Sequence, residues 1–251
     1  MASLTLDGPR LPPAAGGPAR QLVVFLHGYG ADGNDLIGLG REWARVLPHA
    51  AFVSPHAPQP CGVAPMGRQW FNLTFRDPGE MTRGVAQAGP LLDAFLSAEL
   101  ERLRLPSSAL GLVGFSQGTM VALAVGLTRN PSPAAIVGYS GALANAEALA
   151  ERSGSGPAIL LVHGDVDEVI PVDAMLIARE QLAQAGLPVE WHVARGIGHG
   201  IDPTGLKLGG AFLRQAFAAA QLTPKGRKSR RSRHGLRGRA PCSRGRHSPA
   251  S

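Results

Sequence analysis

The sequence predicts an α/β domain in which a mostly parallel sheet carries helices on both faces. Short apolar runs alternate along the chain with segments of about 10 to 16 residues whose apolar positions have helical spacing, a pattern typical of βαβ units. The runs are continuously apolar rather than alternating, which indicates strands buried on both faces. The chain has 251 residues, 44% of them hydrophobic, enough for one sizeable core.

The predicted elements follow one another in this alternating order. After a lead-in over residues 1–20 with one short edge strand at Leu4–Leu6, the predicted strands are Gln21–Leu26, Ala51–Ser54, Ala109–Phe115, Ala135–Ser140, Ile159–Val162 and Val189–Val193. The predicted helices are Asp35–Leu47, Pro90–Leu105, Gly118–Leu127, Val172–Ala185 and Gly210–Leu222.

One connection, from Pro55 to Ala88, is much longer than the others. Connections of this length in a domain are usually lids or binding loops. The connection contains four large side chains that we expect to contact a substrate: Met66, Trp70, Phe71 and Phe75. The alternative is that Trp70 and Phe71 pack the loop onto the body of the domain, and both descriptions can hold together.

The charge of the chain is concentrated at one end. The whole sequence has 25 Lys and Arg against 18 Asp and Glu, a net charge of +7. Residues 223–251 contain ten of the basic side chains and no acidic one, so residues 1–222 carry a net charge of −3. We therefore expect a single domain over residues 1–222, followed by a basic tail that is too polar to form a core and is predicted to be disordered.

Several classes of protein are excluded by composition. No apolar stretch approaches the ~20 residues of a membrane-spanning helix, and the N-terminus lacks the pattern of a secretory signal. The two cysteines, Cys61 and Cys242, do not suggest a disulfide framework, so a reducing cytoplasm is the expected compartment. No Cys/His cluster indicates a metal site.

The segment Gly114-Phe-Ser-Gln-Gly118 fits the G-x-S-x-G nucleophile elbow. It follows a predicted strand and precedes a predicted helix, which is the context that the elbow requires. The serine of an elbow lies in a strained turn, where neighbouring side chains would collide with the strand and the helix. Ser116 is therefore the candidate nucleophile.

A serine nucleophile needs a base and an orienting carboxylate, which in this type of sheet follow it in the order acid, then histidine. His199 lies in the glycine-rich loop directly after the strand Val189–Val193 and is the candidate base. The other histidines lie before any suitable acid, inside a strand or in the tail: His27, His49, His56, His163, His192, His234 and His247. The acid should follow the strand Ile159–Val162, and its position alone does not decide between Asp165, Asp167 and Glu168.

The chemistry also needs two backbone donors for the oxyanion. The N–H of Gln117, at the start of the helix after the elbow, is one natural donor. The loop His27-Gly-Tyr-Gly30 follows an earlier strand, and the N–H of Tyr29 is the second candidate. A turn without a chemical role is the alternative for this loop.

Together these segments resemble the phospholipase/carboxylesterase family of α/β-hydrolases, which includes acyl-protein thioesterases and small bacterial carboxylesterases. The resemblance extends from about Gln21 to Ala219 and rests on four ordered motifs: Leu26–Gly33, Gly114–Gly118, His163–Pro171 and Gly198–Gly200. It also includes Arg68–Phe71, which is similar to a tryptophan-containing segment near the family's acyl groove. The resemblance implies an α/β-hydrolase fold, Asp167 as the acid, Tyr29 and Gln117 as the oxyanion donors, and no metal or organic cofactor.

The expected function is therefore hydrolysis of carboxylic esters through an acyl-enzyme, with a small-molecule or lipid ester as substrate. A lysophospholipase or an acyl-protein thioesterase would use the same machinery, and a non-catalytic binding module on this fold is the alternative of another class. A homodimer is left open. The basic tail departs from the family, whose members stop soon after the last helix. It is interpreted as a solvated extension, with electrostatic contact to acidic lipid as the next interpretation and non-specific nucleic-acid binding as the third.

Overall fold

A seven-stranded sheet forms the centre of the molecule. The computed structural model describes residues 5–74, 76–77, 79–151 and 156–222. The strands are β1 (Arg10–Leu11), β2 (Gln21–Leu26), β3 (Ala50–Val53), β4 (Gln59–Cys61), β5 (Ala64–Gln69), β6 (Leu110–Phe115), β7 (Ala135–Tyr139), β8 (Ala158–Gly164) and β9 (Val189–Ala194). The helices are α1 (Gly33–Trp43), α2 (Glu80–Leu103), α3 (Gln117–Thr128), α4 (Asp173–Gln184) and α5 (Pro203–Leu222), with short 3₁₀ turns at Ser107–Ala109 and Ala146–Glu151.

The central sheet has the strand order β1-β3-β2-β6-β7-β8-β9. Every neighbouring pair in it is parallel except β1 with β3. The mostly parallel sheet predicted from the continuous apolar runs is confirmed. Because the parallel strands end at the same edge, the loops that follow β2, β6, β8 and β9 are brought together there.

Helices cover both faces of the sheet, as predicted. Alternate residues of β2 show the division: Leu22 and Val24 pack with the apolar side chains of α2, α3 and α4. Val23 and Phe25 pack on the other face with those of α1 and α5. Both layers are buried, which explains why these strands read as unbroken apolar runs.

Helix α2 begins ten residues before the predicted start at Pro90. Proline is common at the first position of a helix, which is why the sequence suggested a boundary there. In the structure Pro90 lies inside the helix on its exposed side. The buried stripe of Val85, Ala88 and Leu92 continues across it, so tertiary packing holds the helix together through the proline.

The first edge strand is not where the sequence placed it. Residues 5 and 6 are not in a strand, and residues 1–4 lie outside the described residues. The strand is Arg10–Leu11 instead, paired with Val53 and Phe52 of β3. Two polar contacts hold it: Ser54 N–H donates to Pro9 O at 3.0 Å, and the Arg10 guanidinium lies 2.8 Å from the buried carboxylate of Glu99.

The long connection after β3 contains structure of its own. Strands β4 and β5 form an antiparallel hairpin within it, and the connection ends at residue 79, where α2 begins. Among the described residues, no helix combines the length and apolar character of a membrane span.

Candidate active site

Ser116 occupies a strained turn between β6 and α3. Its backbone has φ +55° and ψ −119°, a region that residues with a side chain rarely adopt. A Cβ atom placed on Gly114 would lie 2.4 Å from the backbone of Thr119, and one on Gly118 would lie 1.8 Å from the carbonyl oxygen of Leu26. Glycine at both positions is therefore a steric requirement of the turn. The Ser116 side chain remains at the edge of the sheet, 8% exposed.

His199 and Asp167 meet at the same edge of the sheet, across two loops. The Nδ1 atom of His199 lies 2.8 Å from Oδ2 of Asp167, whose carboxylate is fully buried. The other oxygen, Oδ1, accepts from the backbone N–H groups of Val169 and Ile170, each at 2.9 Å. Burial raises the pKa of Asp167, but the hydrogen bonds from Ile170 and His199 outweigh it and hold the pKa below its ordinary value.

The other two acidic candidates do not reach His199. Asp165 accepts from the backbone N–H of Gly196 at 2.6 Å, a turn contact that shapes the loop carrying His199. Glu168 is exposed. Of the three carboxylates that sequence position left open, the one that contacts the imidazole is Asp167.

The imidazole of His199 also lies against the elbow. The ring of Phe115, the residue before Ser116, packs on it with 4.9 Å between centroids. The loop of His199 is tied to the end of β7 by Ser140, whose hydroxyl donates to Gly200 O at 3.3 Å. Ser116 is tied to the same strand through its N–H, which donates to Tyr139 O at 2.9 Å.

The loop after β2 lies directly beside the elbow. A Cβ atom on Gly28 would be 3.3 Å from the Cβ of Ser116, so the backbone approaches the serine closely. The loop is paired with β5, because Gly30 N–H donates to Arg68 O at 2.9 Å and Arg68 N–H donates to Ala31 O at 2.7 Å. Among the described residues, neither the N–H of Tyr29 nor that of Gln117 is used in another hydrogen bond. Both donors are thus available to a bound group.

Gln117 has a second role that the motif did not predict. Its buried side chain bridges two backbone groups of the long connection: Oε1 accepts from Trp70 N–H at 2.9 Å, and Nε2 donates to Phe71 O at 2.8 Å. The indole of Trp70 in turn donates to His27 O at 3.0 Å. The two segments that carry the candidate oxyanion donors are therefore held together through Trp70.

His27 fixes the start of the oxyanion loop. Its Nε2 accepts from Ala57 N–H at 3.0 Å, so Nδ1 carries the proton and donates to Gly28 O at 2.8 Å. Burial lowers the pKa of His27 to about 4. The imidazole is therefore neutral at ordinary pH and serves as a structural bridge.

The four residues expected to contact a substrate lie in different environments. Met66 is 90% exposed near the turn of the hairpin, whereas Trp70 and Phe71 are each 1% exposed. Phe75 lies outside the described residues. The contacts of Trp70 and Phe71 correspond to the alternative interpretation, in which they pack the loop onto the domain. A direct contact of any of the four with substrate stays a prediction.

Two further polar side chains of the site were missed as functional candidates. The G-x-S-x-G motif predicts a role for the backbone N–H of Gln117 and none for its side chain. His163 precedes the acid in the sequence, which argues against it as the base, yet its ring lies 3.3 Å from Asp167. Its position four residues before Asp167, at the end of a buried strand, was the available signal.

Comparisons with known proteins show the family to which the chain is similar. The family model described as Phospholipase/Carboxylesterase matches residues 13–216. Esterase YpfH of Escherichia coli (strain K12) is 31% identical over 193 residues, covering 74% of this chain and 78% of its own length. Acyl-protein thioesterase 1 of Gibberella zeae is 28% identical over 222 residues, covering 81% of this chain and 91% of its own.

Solved structures agree as well. The crystal structure of esterase PE8 superimposes with a TM-score of 0.80 at 41% identity, covering 84% of this chain and 99% of that one. The SOBER1 structure from Arabidopsis thaliana, at 21% identity and a TM-score of 0.66, shares the fold. The sheet order and the helices on both faces are those of an α/β-hydrolase.

Proposed function

The chain belongs to the phospholipase/carboxylesterase family, and we propose that its catalytic residues are Ser116, His199 and Asp167, with the N–H groups of Tyr29 and Gln117 as oxyanion donors. The protein is a serine hydrolase of carboxylic esters. The observation that carries the residue assignment is the 2.8 Å contact between His199 Nδ1 and the buried Oδ2 of Asp167. A buried carboxylate in this position orients the imidazole that must accept the serine proton.

The contact with Asp167 supports Nε2 of His199 as the atom that acts as the base. A carboxylate oxygen only accepts, so Nδ1 carries the proton. In the neutral ring Nε2 is then unprotonated and can take the proton of the Ser116 hydroxyl as Oγ attacks the ester carbonyl. Asp167, held ionised by its donors, stabilises the imidazolium that results.

The charge that develops on the carbonyl oxygen needs donors that are already in place. The N–H groups of Tyr29 and Gln117 lie on the two loops beside Ser116 and are free among the described residues. The N-terminal end of α3 adds a favourable partial charge. His199 next donates its proton to the leaving alcohol, and the acyl group remains on Ser116.

Deacylation reverses these roles. A water molecule attacks the acyl-enzyme while Nε2 of His199 accepts its proton. The bond from the acyl carbon to Ser116 Oγ then breaks as His199 returns the proton to Oγ, which releases the carboxylic acid. No step requires a metal or an organic cofactor. Among the described residues, no group of three or more His, Cys, Asp or Glu side chains could hold a metal ion.

We propose a small-molecule or lipid ester as the substrate. Two observations support an apolar acyl group. The side chains of Val166 and Val169, which flank Asp167 in its loop, are exposed. The side chain of Met66 is exposed as well. Acyl-protein thioesterase 1 of Gibberella zeae, similar over most of its length, supports a thioester as the second candidate substrate.

The test is a panel of nitrophenyl esters of short and long acyl chains, a lysophospholipid and an acyl thioester. The matched variant is Ser116→Ala, for which turnover should fall by about 10⁶-fold on every substrate that the wild type hydrolyses. A fluorophosphonate should label the wild type and not the variant. A wild type that neither hydrolyses any ester above the variant nor reacts with the probe would instead be a non-catalytic binding module.

Two finer points belong to the same proposal. The scarcity of cysteines supports a cytoplasmic protein. The ten basic side chains of residues 223–251, which lie outside the described residues, support a weak electrostatic contact with acidic lipid at about 1 kcal/mol per cation near the surface.

A further inference from the structure

A second histidine lies beside the carboxylate of Asp167. His163 is the sixth residue of β8 and lies four residues before Asp167. Its ring is 1% exposed. The mechanism proposed above gives it no role, although it is a buried polar group in direct contact with the candidate acid.

The contacts of His163 establish which of its ring atoms donates. Nε2 lies 2.8 Å from the carbonyl oxygen of Ile170 and 3.3 Å from Oδ2 of Asp167. Both neighbours are acceptors, so Nε2 carries a proton whatever the charge of the ring. This N–H donates to Ile170 O, in the loop that carries Asp167, and Oδ2 of Asp167 lies beside the same nitrogen.

His163 completes the set of groups around the carboxylate of Asp167. Oδ1 is held by two backbone N–H groups, those of Val169 and Ile170. These two bonds fix one oxygen and the direction of the loop. The second oxygen, Oδ2, is approached by His199 and by His163.

The two histidines differ in how firmly they are held. His199 stands on a loop and must change its protonation during each turnover. His163 stands within β8, paired with Val193 of β9, and its ring is buried. A ring that is bonded to Ile170 O and lies against Oδ2 keeps the carboxylate from turning about its Cβ–Cγ bond when the bond to His199 changes strength.

We propose that His163 is a positioning residue, which keeps Asp167 directed toward His199 through the hydrogen bond from its Nε2–H to Ile170 O and through its contact with Oδ2. This inference rests on the proposed catalytic role of Asp167 and His199. A positional error of about 1 Å in a catalytic group can cost about 100-fold in rate. The loss of the donor should therefore lower kcat and leave substrate binding nearly unchanged.

The test compares three substitutions of His163. In His163→Gln the amide Nε2 takes the place of the ring Nε2–H and keeps the donor. In His163→Asn the amide is too short to reach Ile170 O, and His163→Leu has no donor. We expect kcat on a nitrophenyl ester to fall about 10- to 100-fold in the Asn and Leu variants with KM within about threefold, and to stay within about threefold in the Gln variant. Leu160→Ala, a buried change on the opposite face of β8, controls for loss of stability.

A second readout does not depend on turnover. The Nδ1 proton of His199 should give a low-field proton resonance, identified by its absence in Asp167→Asn. It should persist in His163→Gln and shift or broaden in His163→Asn. If kcat and this resonance are unchanged in His163→Asn, or if the Gln variant loses as much activity as the Asn variant, the positioning role is wrong. A wild type that shows the expected resonances without esterase activity would overturn the proposed function and leave the positioning of Asp167 standing.

Discussion

The side chain of Gln117 accepts a hydrogen bond from the backbone N–H of Trp70 at 2.9 Å, across a separation of 47 residues. The residue that follows the proposed nucleophile is thus tied to the segment after β5. Since the indole of Trp70 donates to His27 O, the same contact reaches the oxyanion loop. The two proposed oxyanion donors are therefore positioned by one shared set of hydrogen bonds.

Replacing Gln117 by Met should reduce catalysis more than it reduces folding. The variant keeps its own backbone N–H but leaves Trp70 N–H and Phe71 O without their partner. We expect kcat/KM on a nitrophenyl ester to fall about 10- to 100-fold, with about 2 kcal/mol lost from the free energy of unfolding. Gln69→Met is the matched control, because Gln69 is also buried and bonds to Gln59 alone. Equal activity of the two variants would show that the bridge does not position the donors.

Asp167→Asn should lower kcat by about 10⁴-fold, because an amide in this position favours the wrong tautomer of the imidazole. Asp165→Asn is its matched control. Within the described part of the chain, the Asp165 side chain accepts from Gly196 N–H alone, and an asparagine oxygen can keep that bond. We expect the control to stay within about threefold of the wild type. Steady-state kinetics of both variants separate the two aspartates, and a large loss in Asp165→Asn would reverse their assignment.

The stability of the protein should fall in acid partly because of His27. Its pKa is lowered by burial to about 4 from an ordinary 6.5, so the unfolded chain binds more protons than the native protein between these values. This contribution to the free energy of unfolding is fully present above pH 6.5. It is lost as the pH falls, and the loss reaches about 3 kcal/mol at pH 4. The measurement is urea unfolding of the wild type and of His27→Gln, whose side chain does not titrate. The difference between their free energies of unfolding should change by about 3 kcal/mol between pH 6.5 and pH 4. Parallel pH profiles would contradict the neutral buried imidazole.

A chain ending at Leu222 should keep its esterase activity. The ten basic residues of the tail contribute to none of the contacts described for the site. The shortened chain carries a net charge of −3, so its isoelectric point should become acidic while kcat/KM stays within about twofold. Sedimentation with anionic vesicles at low salt tests the tail itself. Equal binding of both chains would exclude electrostatic contact through the tail.

The elements of the fold could be predicted wherever burial was complete. Strands such as β2 and β6 are covered on both faces, so every residue is apolar and the run is visible in the sequence. The hairpin of β4 and β5 pairs locally, but its strands contain Pro60 and Pro65 and show no apolar alternation that would predict a strand. The short edge strand Arg10–Leu11 was not predicted, because its pairing with Val53 and Phe52 depends on distant partners. The start of α2 was misplaced at Pro90 for the same reason, since its packing against α3 overrides the local preference.

The sequence by itself determined the family and the candidate nucleophile and base, because glycine spacing around Ser116 and the order of the loops follow from backbone sterics and strand succession. It left three carboxylates beside one another, and spacing alone could not say which of Asp165, Asp167 and Glu168 turns toward His199. Only the tertiary structure decided that contact, and only it brought His163, Gln117 and Trp70 around the proposed donors. A side chain's direction depends on groups far away in the chain, and those come into contact only once the sheet has formed.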